Sequence, residues 1–206
     1  MAKKEAPISK LQDYLPSNTF EAVHLYLLHF KVHLTIAKER KSILGDYRHR
    51  TGNQNHRISI NGNLNTYAFL ITLLHELAHL LQFEKYGNRV AAHGKEWKNL
   101  FSELLAQFIQ QNIFPDDIKE ALLLSIQNPA ASSCADERLL RTLKKYDRKK
   151  GNGIFVEALP VGSLFKTGDG RIFKKGERLR KRFRCEELAT RKLYLFSPVY
   201  EVEPVS

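Results

Sequence analysis

Residues 75–79 read His-Glu-Leu-Ala-His inside an apolar run, with Phe69-Leu70-Ile71-Thr72-Leu73-Leu74 before it and Leu80-Leu81 after it. In a helix, residues four apart share a face, so His75 and His79 can present two imidazoles to one metal ion with Glu76 beside them. On a helical wheel of residues 66–86, Thr72, His75, Glu76, His79, Gln82 and Tyr86 form a polar stripe about 120° wide. Leu70, Leu73, Leu74, Leu77, Ala78, Leu80 and Leu81 cover the remainder. A helix this apolar is expected to be buried, and buried polar groups without partners cost about 1–3 kcal/mol each. The stripe therefore needs an occupant or a cleft. Zinc suits the spacing, because it can keep an open position for water whose proton the intervening Glu76 takes. The expectation is a zinc-dependent hydrolase. The competing reading is a core helix whose histidines are satisfied by ordinary hydrogen bonds.

Zinc hydrolase sites usually take three protein ligands. A metzincin continuation needs Gly at 82 and His at 85, and Gln82 and Lys85 exclude it. Tyr86-Gly87-Asn88 reads as a helix stop, and His93-Gly94 then opens a second helix from Lys95 to about Gln111. His93 is the preferred third ligand, because Gly94 frees the backbone beside it. Glu96 and Glu103 are the rivals.

The pair His75-Glu76-Leu77-Ala78-His79 and His93-Gly94-Lys95-Glu96-Trp97 resembles the SprT/Spartan family of zinc metallopeptidases, over roughly residues 10–130. The resemblance implies an α+β, minigluzincin-like domain with one zinc on His75, His79 and His93 and a catalytic Glu76. It also implies action on proteins bound or crosslinked to DNA. The alternative is a non-catalytic nucleic-acid or transcription-associated binding protein that keeps the zinc helix as a scaffold. Against that stands the intact Glu76, since a purely structural site has no use for a base.

Charge adds a second theme. The chain of 206 residues has a formal net charge of +11, yet Arg138 to Lys192 alone holds 18 Lys and Arg against 6 Asp and Glu. The basic third therefore carries the whole excess, which favours phosphate backbones as partners. Lys144, Lys145, Arg148, Lys149, Lys174, Lys175, Arg178, Arg180, Lys181, Arg182 and Arg184 are the candidate nucleic-acid contacts. DNA is the partner that the resemblance implies; charge does not distinguish it from RNA or an acidic protein. Two isolated thiols, Cys134 and Cys185, fit a reducing compartment. No apolar leader follows Met1-Ala2-Lys3-Lys4-Glu5, and no run reaches the roughly 20 residues that span a bilayer. A cytoplasmic protein without a membrane partner is expected.

The order of elements supports three segments. Residues 10–130 form the metallopeptidase-like domain. A helix at 20–30, with Asn18 and Glu21 as a capping box, precedes three strands at 32–37, 41–48 and 56–61. Ile58-Ser59-Ile60 is the candidate edge for pairing with an extended substrate. A further helix runs from Pro115 to Asn128. Residues 131–150 read as a basic helical connector. Residues 151–206 read as a small basic all-β module with turns at Gly168-Asp169-Gly170 and Lys175-Gly176-Glu177. Here the chain departs from the family pattern, in which many members end in a zinc ribbon. No C-x-x-C occurs and no His follows His93, so the module cannot assemble four zinc ligands from Cys and His. It resembles a zinc ribbon that has lost its metal.

Overall fold

Asn65 starts the helix that organises the first half of the chain. Its side-chain Oδ1 accepts a hydrogen bond from the Ala68 amide at 2.9 Å, an N-cap on helix α2 (Thr66–Tyr86). The computed structural model describes residues 7–40, 43–126, 136–147 and 153–205. The fold is mixed α and β, and the chain divides into two compact units between Asp147 and Arg148. Among the described residues, no helix is long and apolar enough to cross a membrane.

In the first unit, α1 (Phe20–His29) leads into β1 (His33–Ala37), β2 (Gly45–Arg48) and β3 (Arg57–Asn61). The three strands order as β1-β3-β2, with β1 parallel and β2 antiparallel to β3. Ile58 and Ile60 alternate inward from β3 and are fully buried against the α2 core. Leu70, Leu73, Leu74 and Leu77 of α2 meet Trp97, Phe101, Leu104 and Phe108 of α3 (Lys95–Gln110), and α4 (Asp116–Ile126) closes the cluster with Ile118 and Leu122.

Three expectations change here. Ile58-Ser59-Ile60 is not a free edge, because β3 is hydrogen-bonded on both sides; the edge facing α2 is β2. Asn18 does not cap α1. It takes a left-handed φ of 65°, and Thr19 occupies the cap position with its hydroxyl turned back to the Pro16 carbonyl. The stretch read as a connector also contains α5 (Glu137–Lys144), which belongs to the first unit. Leu139 and Leu143 enter its core, Asn65 Nδ2 donates to the Leu143 carbonyl at 2.9 Å, and the Tyr146 hydroxyl donates to Asp117 at 2.7 Å. Amphipathic spacing in α5, not basic charge, decides where it goes. Residues 127–135, including Cys134 and the start of the expected connector, lie outside the described residues.

The second unit is a six-stranded sheet in the order β4-β9-β5-β6-β7-β8. Its strands are β4 (Ile154–Phe155), β5 (Leu164–Lys166), β6 (Ile172–Leu179), β7 (Arg182–Glu187), β8 (Leu193–Phe196) and β9 (Glu201–Val205), each antiparallel to its neighbours. Phe165, Phe173, Phe183, Cys185 and Phe196 fill the core. The expected turn at Lys175-Gly176-Glu177 is instead a register shift inside β6. A Cβ at Gly176 would overlap the Arg184 carbonyl, so glycine lets the two strands stay close through the bulge. The turn falls at Arg180-Lys181, with Arg180 at a φ of 51°.

If α5 is part of the first core, Leu143→Ala should destabilise the first unit by about 2–5 kcal/mol, the usual cost of truncating a buried leucine. Thermal or denaturant unfolding checks this; a change within about 0.5 kcal/mol, as for an exposed site, would return α5 to the role of a connector.

Candidate metal centre

Helical spacing places His75, Glu76, His79 and Gln82 on the side of α2 that looks toward β2 and the start of α3. His75, Glu76 and Gln82 are buried and His79 is half-buried. After α2 ends at Gly87, whose φ is 60°, the chain loops back through Val90 and Ala92. Gln82 Nε2 donates to the Ala91 carbonyl at 2.8 Å, and the Gly94 amide donates to the same carbonyl at 2.9 Å. That shared acceptor fixes the loop just before His93.

The result is a three-imidazole cluster. One ring nitrogen from each of His75, His79 and His93 lies within 4.8 Å of the other two, and His79 Nε2 stands 3.0 Å from His93 Nε2. Among the described residues this is the one group that can hold a metal ion, and neither Glu96 nor Glu103 belongs to it. Trp97 is fully buried beneath the cluster, its ring centroid 4.6, 5.3 and 4.8 Å from those of His75, His79 and His93.

Burial sets the electrostatics. It holds His75 down to about 3, with help from the neighbouring charges of His79 and His93. Burial and His93 hold His79 down to about 4, against a hydrogen bond to Gln82, and burial also lowers His93. All three imidazoles are therefore neutral at neutral pH, the form that ligates metal. His75 Nδ1 is buried with no hydrogen-bond partner. An orphaned ring nitrogen in a cluster of neutral imidazoles fits a borderline-soft divalent cation. Burial, reinforced by Asp46 and opposed by Arg40, raises the Glu76 carboxyl to about 8.

These groups line an open cleft of about 450 Å³ with Gly45, Asp46 and Tyr47 of β2 on one wall and Phe83, Val90 and Ala92 on the other. Tyr47 stacks parallel to His79 at 6.4 Å, and its hydroxyl lies 2.9 Å from His56 Nδ1. His56 Nε2 is 3.3 Å from Glu84 Oε1, an electrostatic contact and not an aligned hydrogen bond. The sequence reading assigns no site role to Gly45, Asp46, Tyr47 or Gln82. Of these, only Gln82 carries a local signal, its place in the polar stripe.

The basic candidates separate. Lys144 pairs with Asp147 and Lys145 with Asp117, each at 3.1 Å. Arg148 and Lys149 lie outside the described residues. Lys175 is corrected outright: it is 3% exposed, and its ammonium donates to the Glu157 and Leu159 carbonyls over the Phe183 ring. Strand alternation turns it inward opposite Cys185, away from any phosphate. Lys174, Arg178, Arg180, Lys181, Arg182 and Arg184 remain exposed, all on the β6–β7 hairpin.

Metal-free protein should lose stability on acidification. Unfolded His75 and His79 take up protons near 6.5, whereas the folded imidazoles resist until about 3 and 4. The unfolded chain then binds more protons, so stability falls as pH drops below 6.5. Glu76, raised from 4.5 to about 8, gives the opposite slope across that interval. Thermal melts in chelator should show the acid loss flattened in His75→Gln and the alkaline loss removed in Glu76→Gln.

The SprT-like family model matches residues 10–117 of the chain. No curated protein and no solved structure matches it.

Proposed function

The chain belongs to the SprT-like family, and from that premise we propose that it is a zinc-dependent peptidase acting on proteins bound or crosslinked to nucleic acid. The observation that carries the reading is the convergence of His75, His79 and His93 beside the buried Glu76. The helix, three-stranded sheet and two-helix order supports a minigluzincin-like core.

His75, His79 and His93 would hold one zinc per chain. When bound, zinc supplies a Lewis acid that polarises the scissile carbonyl and acidifies water. Glu76 takes a proton from the attacking water and returns it to the leaving amine. In the metal-free centre burial keeps this carboxyl up at about 8; a cation held by the three imidazoles would favour the ionised form that accepts the proton. The free edge of β2 orients an extended substrate by backbone pairing along the cleft wall. Asp46 and Tyr47 stand on that edge, where they meet substrate side chains.

The exposed hairpin cations support the nucleic-acid partner. Arg180, Lys181, Arg182 and Arg184 form no ion pair among the described residues, so their charge is available to phosphate. Binding a polymer through the second unit raises the effective concentration of proteins on that polymer at the cleft.

Elemental analysis should give one zinc per chain. Alanine at His75, His79 or His93 should remove most of it, and Glu76→Gln should retain it. Full zinc in His93→Ala would move the third ligand elsewhere.

Cleavage of a DNA-attached protein should exceed cleavage of the same protein free, and Glu76→Gln should abolish both while leaving DNA affinity intact. Reversing charge at Arg180, Lys181 and Arg182 should remove the DNA advantage. It should also flatten the logarithmic salt dependence of binding by about 0.7–0.9 for each phosphate that the variant no longer neutralises. Zinc-loaded native protein that binds DNA but cleaves nothing would favour a non-catalytic binding protein.

A further inference from the structure

Strand β2 begins at Gly45, where the backbone passes over the catalytic stripe of α2. A Cβ at Gly45 would lie 2.5 Å from Glu76 Oε1, 3.0 Å from Glu76 Cγ and 2.8 Å from Thr72 Cγ2. Gly45 is not among the positive-φ residues, so its backbone conformation does not call for glycine. Space does. The Glu76 carboxylate has no hydrogen bond or ion pair among the described residues, so packing alone sets where it points. Thr72 is held differently: its hydroxyl donates to the Ala68 carbonyl at 2.8 Å, which resists rotation of its methyl. A side chain at position 45 would therefore meet one immobile neighbour and one mobile one, and the carboxylate is the group that gives way.

We infer that Gly45 is a positioning residue: its missing side chain creates the space in which the Glu76 carboxylate rests. The kinetic consequence rests on the peptidase reading above, whereas the steric one does not. Displacing a reacting group by about 1 Å costs on the order of a hundredfold in rate, while a terminal carboxylate can swing aside with little effect on the fold. Gly45 also lies on the strand edge offered to substrate, and the two roles separate in kinetics. Loss of strand pairing raises KM; displacement of Glu76 lowers kcat.

The test uses full-length, zinc-loaded protein as Gly45→Ala, Thr72→Ser and the double variant. Thr72→Ser removes the methyl that a new Cβ would strike and leaves the overlap with Glu76. The double variant should keep one zinc per chain and a KM within about twofold of Thr72→Ser, with kcat lower by about a hundredfold. Native kcat in the double variant would overturn the inference, because the loss in Gly45→Ala would then come from the Thr72 contact. A raised KM with unchanged kcat would overturn it in favour of substrate pairing alone. A readout independent of turnover is the side-chain carboxyl ¹³C resonance of Glu76, assigned by its disappearance in Glu76→Gln. It should move between Thr72→Ser and the double variant. An unmoved resonance overturns the steric inference even in an active enzyme. A moved resonance in a protein that cleaves nothing sustains it and defeats the peptidase reading separately.

Discussion

Desolvation of one polar stripe on helix α2 is the constraint on which the first unit depends. Twelve residues of α2 are buried, and two of the functional groups, His75 and Glu76, are among them. Removing water disfavours charge of either sign. It leaves the imidazoles neutral and pushes Glu76 toward its protonated form, so the stripe carries lone pairs and protons instead of charges. The surrounding architecture maintains that state. Trp97 closes the cluster from below, β2 crosses one side, and the loop tied to Gln82 returns His93 to the other. A cation at such a place meets ligands that need not first lose a proton.

The second unit shows how little residue type decides by itself. Lys174 and Lys175 are adjacent and chemically identical, yet one is exposed and the other is 3% exposed. Period-2 alternation sends them to opposite faces. The inward ammonium is tolerated because two carbonyls and an aromatic face take the place of water. The outward side of the same ribbon is left with its cations unneutralised.

Legibility in the sequence followed the range of the interactions. Helix α2 and the His75–His79 pair are written in local periodicity, and the polar stripe within an apolar run suffices to read them. His93 required a loop to return over 14 residues, and the His-Gly opening of α3 marked where it would. The strand order was hidden, because β1 pairs with β3 across the intervening β2 and no local pattern encodes a skipped neighbour. Gly45 was silent for a related reason: its value lies in an atom it lacks, opposite a residue 31 positions away. Lys175 misled because a run of cations reads as one surface until a register assigns its members to two faces. Helix α5 was read by its charge when its leucines decided its packing.

Trp97 is the only tryptophan in the chain. It sits out of water with all three imidazoles packed around its indole ring. Indole emission is quenched by neighbouring imidazolium and responds to a nearby cation. The fold has therefore placed its one indole where the state of the centre changes its surroundings. Occupancy and protonation of the three histidines can be followed by light, in the unmodified protein, without a label and without a substrate.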